Sequence, residues 1–200
     1  MLLWVVVVWQ WQDPFTALYT HFQQRRLATS YEEAAARFHA SLTGGRATAQ
    51  PHVALAAEAR AYGRRLKRGG PVGRLRISRI GLNMVVVEGT DDESLRKGPG
   101  RYRPSGLPGE GALIYVAGHR TTYLAPFARI EAIRLNDSIV FEVPYGTFTY
   151  RVVRHYVVPA NDLAVLRERG REVLRLQACH PRFFATHRYL VDARLVRVRR

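Results

Sequence analysis

The 200-residue chain has a single cysteine, Cys179, so no internal disulfide can form and a disulfide-stapled fold is excluded. In an exported protein, that scarcity also leaves no second thiol to oxidise against the first. Acids are few as well: 16 Asp and Glu stand against 31 Lys and Arg, for a formal net charge of +15. Such an excess invites a nucleic-acid reading, but its distribution argues against one. Eight basic residues and no acid occur from Arg60 to Arg79, half of them in the hydrophilic joint "GRRLKRGG" rather than on a reading helix. A basic surface suits an anionic membrane or wall polymer equally well, and the stacking aromatics of a single-strand binder are wanting. No nucleic-acid partner is expected.

Long apolar runs are missing too. "MLLWVVVVW" extends over nine residues, against about 20 for a spanning helix. No basic segment precedes it and no small-residue cleavage site follows, which excludes an ordinary signal peptide. Two readings stay open: a buried strand, or the end of a membrane anchor that begins upstream, with Trp4, Trp9, Trp11, Arg25 and Arg26 at the interface. No internal repeat occurs, and no acidic cluster argues for calcium.

What is present is enough for one core with extensions, since 47% of the residues are hydrophobic. Residues 17–42 lack Gly and Pro and are rich in helix formers, with Ser30 and Glu33 as a candidate capping box. "HVALAAEARAYGRRLKR" predicts a second helix. Both are alanine-rich and short of large apolar anchors, which predicts a stalk or linker. From Pro71 the texture changes to strands: "GRLRISRIG", "LNMVVVEG", "ALIYVAGHR", "DSIVFEV", "TFTYRVVRHYVV", "EVLRLQAC" and "RYLVDARLVRV". Short helices are expected at "TDDESLRKG" (Thr90 and Glu93 as capping box), at "LAPFARI" and at "NDLAVLRERG". About eight short strands with few helices predict an all-β barrel or sandwich.

Alternation along "VLRLQAC" puts Leu174, Leu176 and Ala178 on one face and Arg175, Gln177 and Cys179 on the other. Cys179 therefore ends a strand among polar neighbours, with Pro181 interrupting the ladder beyond it. A reactive thiol needs partial exposure and positive surroundings, a proton partner and an oxyanion holder. Of seven histidines, His119 is favoured, because it follows a buried strand at a glycine. His180 and His187 are alternatives within the cysteine's own segment. Arg188 opens a strand and supplies an always-charged planar donor. A metal site built from Cys179, His180 and His187 has too few soft ligands in an unusual spacing, so neither metal nor cofactor is expected.

"AGHRTTYLAPF" followed by the distant "RLQACHPRFFATHRYLV" resembles the sortases, most closely the class E type of actinobacteria, over about residues 72–199. "LRKGPGRY" and "PGEGALIYVAGH" also match that family's early core. The resemblance implies an eight-stranded sortase-type β-barrel over residues 71–200, preceded by a helical stalk at 17–70 and the end of a membrane anchor at 1–16. It implies a cysteine transpeptidase that cuts an LPxTG- or LAxTG-like sorting signal between Thr and Gly. The released carbonyl would be joined to an amine of a peptidoglycan precursor or a pilin, outside the cell membrane. Cys179 would be the nucleophile, His119 the general acid and base, and Arg188 the oxyanion stabiliser, with Tyr123 and Ala178 as substrate-binding candidates. One departure stands out: the family's TLxTC is here "RLQAC", with Arg175 and Ala178 where threonines are expected. That departure motivates an alternative, a catalytically impaired surface-binding barrel.

Overall fold

In the computed structural model of the chain, residues 14–42, 51–167 and 170–200 are described. The apolar N-terminal run lies outside them, and among the described residues no helix is long and apolar enough to cross a membrane. Two helices, α1 (Pro14–Leu42) and α2 (Pro51–Gly63), precede eight strands. These are β1 (Pro71–Ile77), β2 (Leu82–Glu88), β3 (Gly100–Arg101), β4 (Leu113–Ala117), β5 (Ser138–Val143), β6 (Gly146–Pro159), β7 (Val173–His180) and β8 (His187–Arg199). They close into a barrel in the order β1-β2-β3-β4-β7-β8-β6-β5, as expected.

The period-2 patterns explain the closure. Ile114 and Val116 of β4, Phe141 of β5, Phe148 of β6, Leu174 and Leu176 of β7 and Val191 of β8 all point into one core and are fully buried. Each such side chain contributes about 1.5–3 kcal/mol by leaving water. Two strands are covered on both faces, which is why they read as continuous apolar runs rather than alternations. Outside β2, Val85 and Val87 pack under Leu27 of α1; outside β4, Tyr115 and Ala117 pack under the β6–β7 connection.

The helical segment expected as a stalk is helical, and its described part lies against the barrel. Sparse anchors suffice: Phe38 of α1, Ala59 and Tyr62 of α2 and Tyr145 share the main core, with Phe38 meeting Tyr62 edge-on at 5.2 Å. Ser30 sits inside an unbroken helix, so it caps nothing. Polar contacts complete the docking. Strand β3 is only two residues long and pairs only with Val87 and Glu88 of β2, so the backbone of Val85 would lack partners on that side. Gln24 supplies them: its Nε2 donates to Val85 O (3.0 Å) and its Oε1 accepts from Val85 N (2.7 Å). The same Nε2 donates to Lys97 O at 2.8 Å.

Of the short helices, the single turn expected before Gly98 is present, and the other two are smaller than expected. A single turn, α3 (Asp92–Leu95), is capped by Asp91, which accepts from Ser94 N at 3.1 Å, rather than by Thr90. Glu93 is engaged elsewhere, with Lys97. In place of a helix at 124–130, Tyr123, Leu124 and Ala125 adopt positive φ, and a 3-10 turn follows only at Ile130–Ala132. The "NDLAVLRERG" helix is a 3-10 turn at Leu163–Leu166, capped by Asp162.

Replacing Gln24 by Leu keeps the volume but leaves the Val85 N–H and C=O unmet, which is expected to cost about 1–3 kcal/mol. Urea denaturation of the two proteins measures it.

Candidate active site

Two strand pairings assemble the site. Strand β7 pairs with β8 in antiparallel register, with Cys179 directly opposite Arg188, so the two side chains stand side by side on one face. On its other edge β7 pairs with β4 in parallel, Ala117 matching Gln177. The ladder runs one step further, Gly118 N donating to Gln177 O at 3.0 Å, which carries His119 to the level of Cys179. Gly118 is required there: a Cβ would lie 2.7 Å from the Phe127 ring. Phe127 N in turn donates to His119 O at 3.1 Å, fixing the chain just beyond.

His119, Cys179 and Arg188 thereby line one cleft of about 340 Å³, together with Tyr115, Gln177 and Leu166. The partly exposed thiol is free. His119 Nε2 is buried and has no hydrogen-bond partner among the described residues. Burial pushes the His119 pKa down, the charge of Asp92 pulling it up and that of Arg96 adding to the fall. The shift favours the neutral form of the ring. Arg188 Nη1 donates to Ala185 O (2.8 Å) and His187 O (3.0 Å), which orients the guanidinium. Burial pushes the Tyr115 phenol well above its ordinary value; it stays protonated and donates to Gln177 Oε1 at 2.7 Å.

The alternatives from the cysteine's own segment lie elsewhere. His180 Nδ1 faces Arg120 and Glu131, at 3.1 and 3.3 Å. His187 Nδ1 meets Thr186 Oγ1 at 2.9 Å on the exposed side. Neither ring lines the cleft. Tyr123 lies beside the His119 ring, centroids 5.2 Å apart, rather than on the cleft wall. Ala178 is a correction: it is fully buried in the barrel core with Leu174 and Leu176. Alternation turns it away from the thiol, so its side chain packs the interior.

A model of the sortase domain matches residues 75–196, from within β1 to within β8. The chain belongs to the sortase family. Sortase D of Bacillus subtilis (strain 168) is 33% identical over 132 residues, 64% of this chain, and the match spans 65% of that relative's length. Among solved structures, sortase E from Streptomyces avermitilis superposes with a TM-score of 0.60 at 32% identity, covering 66% of this chain and 92% of that one. A Clostridium perfringens Sortase D5 transpeptidase shares the fold, with a TM-score of 0.65 at 21% identity over 84% of this chain and 99% of that one.

The "RLQAC" departure of this sortase can now be read physically. Arg175 is fully buried outside the barrel wall, where its Nε and Nη2 grip Asp192 of β8 in a fork (2.6 and 2.7 Å). Its Nη1 donates to Val165 O, tying down the 3-10 turn that forms one wall of the cleft. Arg175 therefore shares the thiol's face of β7 and builds the site's surroundings, its guanidinium committed to Asp192 and Val165 O. Chain alternation alone could not reveal this, because the covering turn comes from a separate segment.

Asp192→Asn leaves the buried Arg175 charge uncompensated, and a loss of about 3–5 kcal/mol is expected in denaturant titration. His119 gives a pH signature. Its folded pKa is depressed, so its contribution to stability is full above its ordinary value near 6.5 and is lost as the pH falls towards the folded value. The stability of the wild type relative to His119→Gln is accordingly expected to shrink on acidification, as measured by thermal unfolding at stepped pH.

Proposed function

We propose that this sortase is a cysteine transpeptidase that cuts a C-terminal LPxTG- or LAxTG-like sorting signal between Thr and Gly and transfers the acyl part to an amine. What carries the reading is the convergence of a free thiol, an imidazole whose Nε2 has no hydrogen-bond partner among the described residues, and an oriented guanidinium, from three separate segments, on one cleft. Cys179 Sγ attacks the threonine carbonyl carbon while its proton passes to the neutral His119 ring. Arg188 holds the oxyanion. His119 then gives that proton to the nitrogen of the leaving glycine, the C–N bond breaks and a thioester remains. An amine from a peptidoglycan precursor or a pilin attacks the thioester, His119 takes its proton and returns it to the departing sulfur. The acyl group ends in a new amide, and the enzyme is regenerated.

In this reading the protein works at the cell surface, held at the membrane. The alternative, a barrel that has lost its chemistry, drew its motive from Arg175 and Ala178; the Arg175 guanidinium is committed to Asp192, and Ala178 turns into the core, away from the thiol.

Incubating the protein with LPxTG and LAxTG peptides and an amine is expected to give amide product and, by mass spectrometry, a Cys179 thioester. Cys179→Ala is expected to abolish both, and His119→Ala to slow transfer by about 10²–10⁴-fold. Undiminished transfer by Cys179→Ala would sink the proposal. Failure of the thiol to label with a vinyl sulfone at neutral pH would instead favour the non-catalytic barrel.

A further inference from the structure

We propose that Arg120 is a positioning residue that sets the register between His119 and Cys179, a role that rests on the reading of those two as proton partner and nucleophile. Carbonyls two residues apart on a strand point to the same side. Gln177 O faces β4 and accepts from Gly118 N, so Cys179 O is the next acceptor on that edge. The backbone of β4 has turned away by then, and Arg120 Nη1 takes the place of the missing N–H, donating to Cys179 O at 3.1 Å. His119 therefore sits between two ties to the nucleophile strand, one made by the backbone before it and one by the side chain after it.

The guanidinium is itself held in place. Its Nη2 is paired with Glu131, and its Nη1 meets His180 Nδ1 at 3.1 Å. Glu131 Oε1 also reaches that imidazole nitrogen, at 3.3 Å. Glu131 belongs to the 3-10 turn at Ile130–Ala132, so the loop after His119 and the end of β7 are locked to each other through one arginine. A stabilising role alone does not account for this residue. Arg120 is 3% exposed and its Nε is buried without a hydrogen-bond partner among the described residues. Buried ion pairs are frequently no more stabilising than apolar packing of the same volume, and an unmet donor adds to the cost. What an apolar replacement could not provide is the rung to Cys179 O.

A double-mutant cycle on the thiol tests this without needing any peptide. The rate of Cys179 alkylation by iodoacetamide at pH 7 is measured for wild type, His119→Ala, Arg120→Gln and the double variant. Thermal unfolding of each checks the fold, and Glu131→Gln replaces Arg120→Gln in the same cycle if the latter does not fold. If Arg120 acts through the His119–Cys179 geometry, the effect of His119→Ala is at least about fivefold smaller once Arg120 is gone. Transfer of a sorting-signal peptide by Arg120→Gln is then expected to fall about 10- to 100-fold in kcat, with KM nearly unchanged and partial recovery in Arg120→Lys. Independent, additive effects on alkylation overturn the positioning role while leaving the His119–Cys179 pair intact. No effect of His119→Ala on its own overturns the pair, and the positioning role with it.

Discussion

The parallel pairing of β4 with β7 is the constraint on which the site depends. Parallel neighbours cannot be joined by a tight turn, and here β5, β6 and their connections lie between the two strands. His119 and Cys179 come together only when that whole crossover has folded back and β7 has slotted between β4 and β8. The cleft is therefore a property of the closed barrel, and no local segment contains it. Loop-closure entropy has to be met before this ladder forms, so the chemistry and the slowest kind of β pairing are tied together.

A second regularity concerns what happens where ladders stop. Three buried arginines on adjoining stretches of the barrel each join an acid to a backbone carbonyl. Arg101 grips Glu88 and the carbonyls of Ser105 and Gly106. Arg120 grips Glu131 and Cys179 O, and Arg175 grips Asp192 and Val165 O. Gln24 does the same for Val85 with an amide. In each case a side chain satisfies backbone that regular structure leaves open, as buried polar groups require. The result is that loops around the cleft are held by charged or amide groups rather than by apolar packing alone.

Much of this was legible in the sequence, and the limits have physical causes. Alternation and short apolar runs located the strands and the face on which Cys179 stands but left barrel and sandwich open, and the family resemblance supplied the barrel. The same alternation already put Ala178 among the leucines, so its assignment to substrate came from motif comparison and not from the strand pattern. His119 could be separated from His180 and His187 only weakly, because the deciding fact is the register of β4 on β7, a long-range quantity. Arg120 was written in "AGHRTTY" but carried no local signal. Of its partners, Glu131 follows turns with positive φ at Tyr123, Leu124 and Ala125 that no helix pattern foretells, and the Cys179 carbonyl is brought to it by the register of β7 on β4. The docking of α1 was hidden for a similar reason, since a few anchors spaced along a polar helix suffice when a groove in the barrel receives them.

The lone thiol in the cleft has a consequence for redox chemistry. A cysteine oxidised to its sulfenic acid is commonly rescued by condensing with a neighbouring thiol, which stops the climb to irreversible acids. This chain contains no second thiol to perform that step. Repair of Cys179 is therefore a bimolecular event, at the rate at which some external reductant can enter a cleft of about 340 Å³. The lifetime of the thiol under oxidising conditions is set by its surroundings and by access to that cleft.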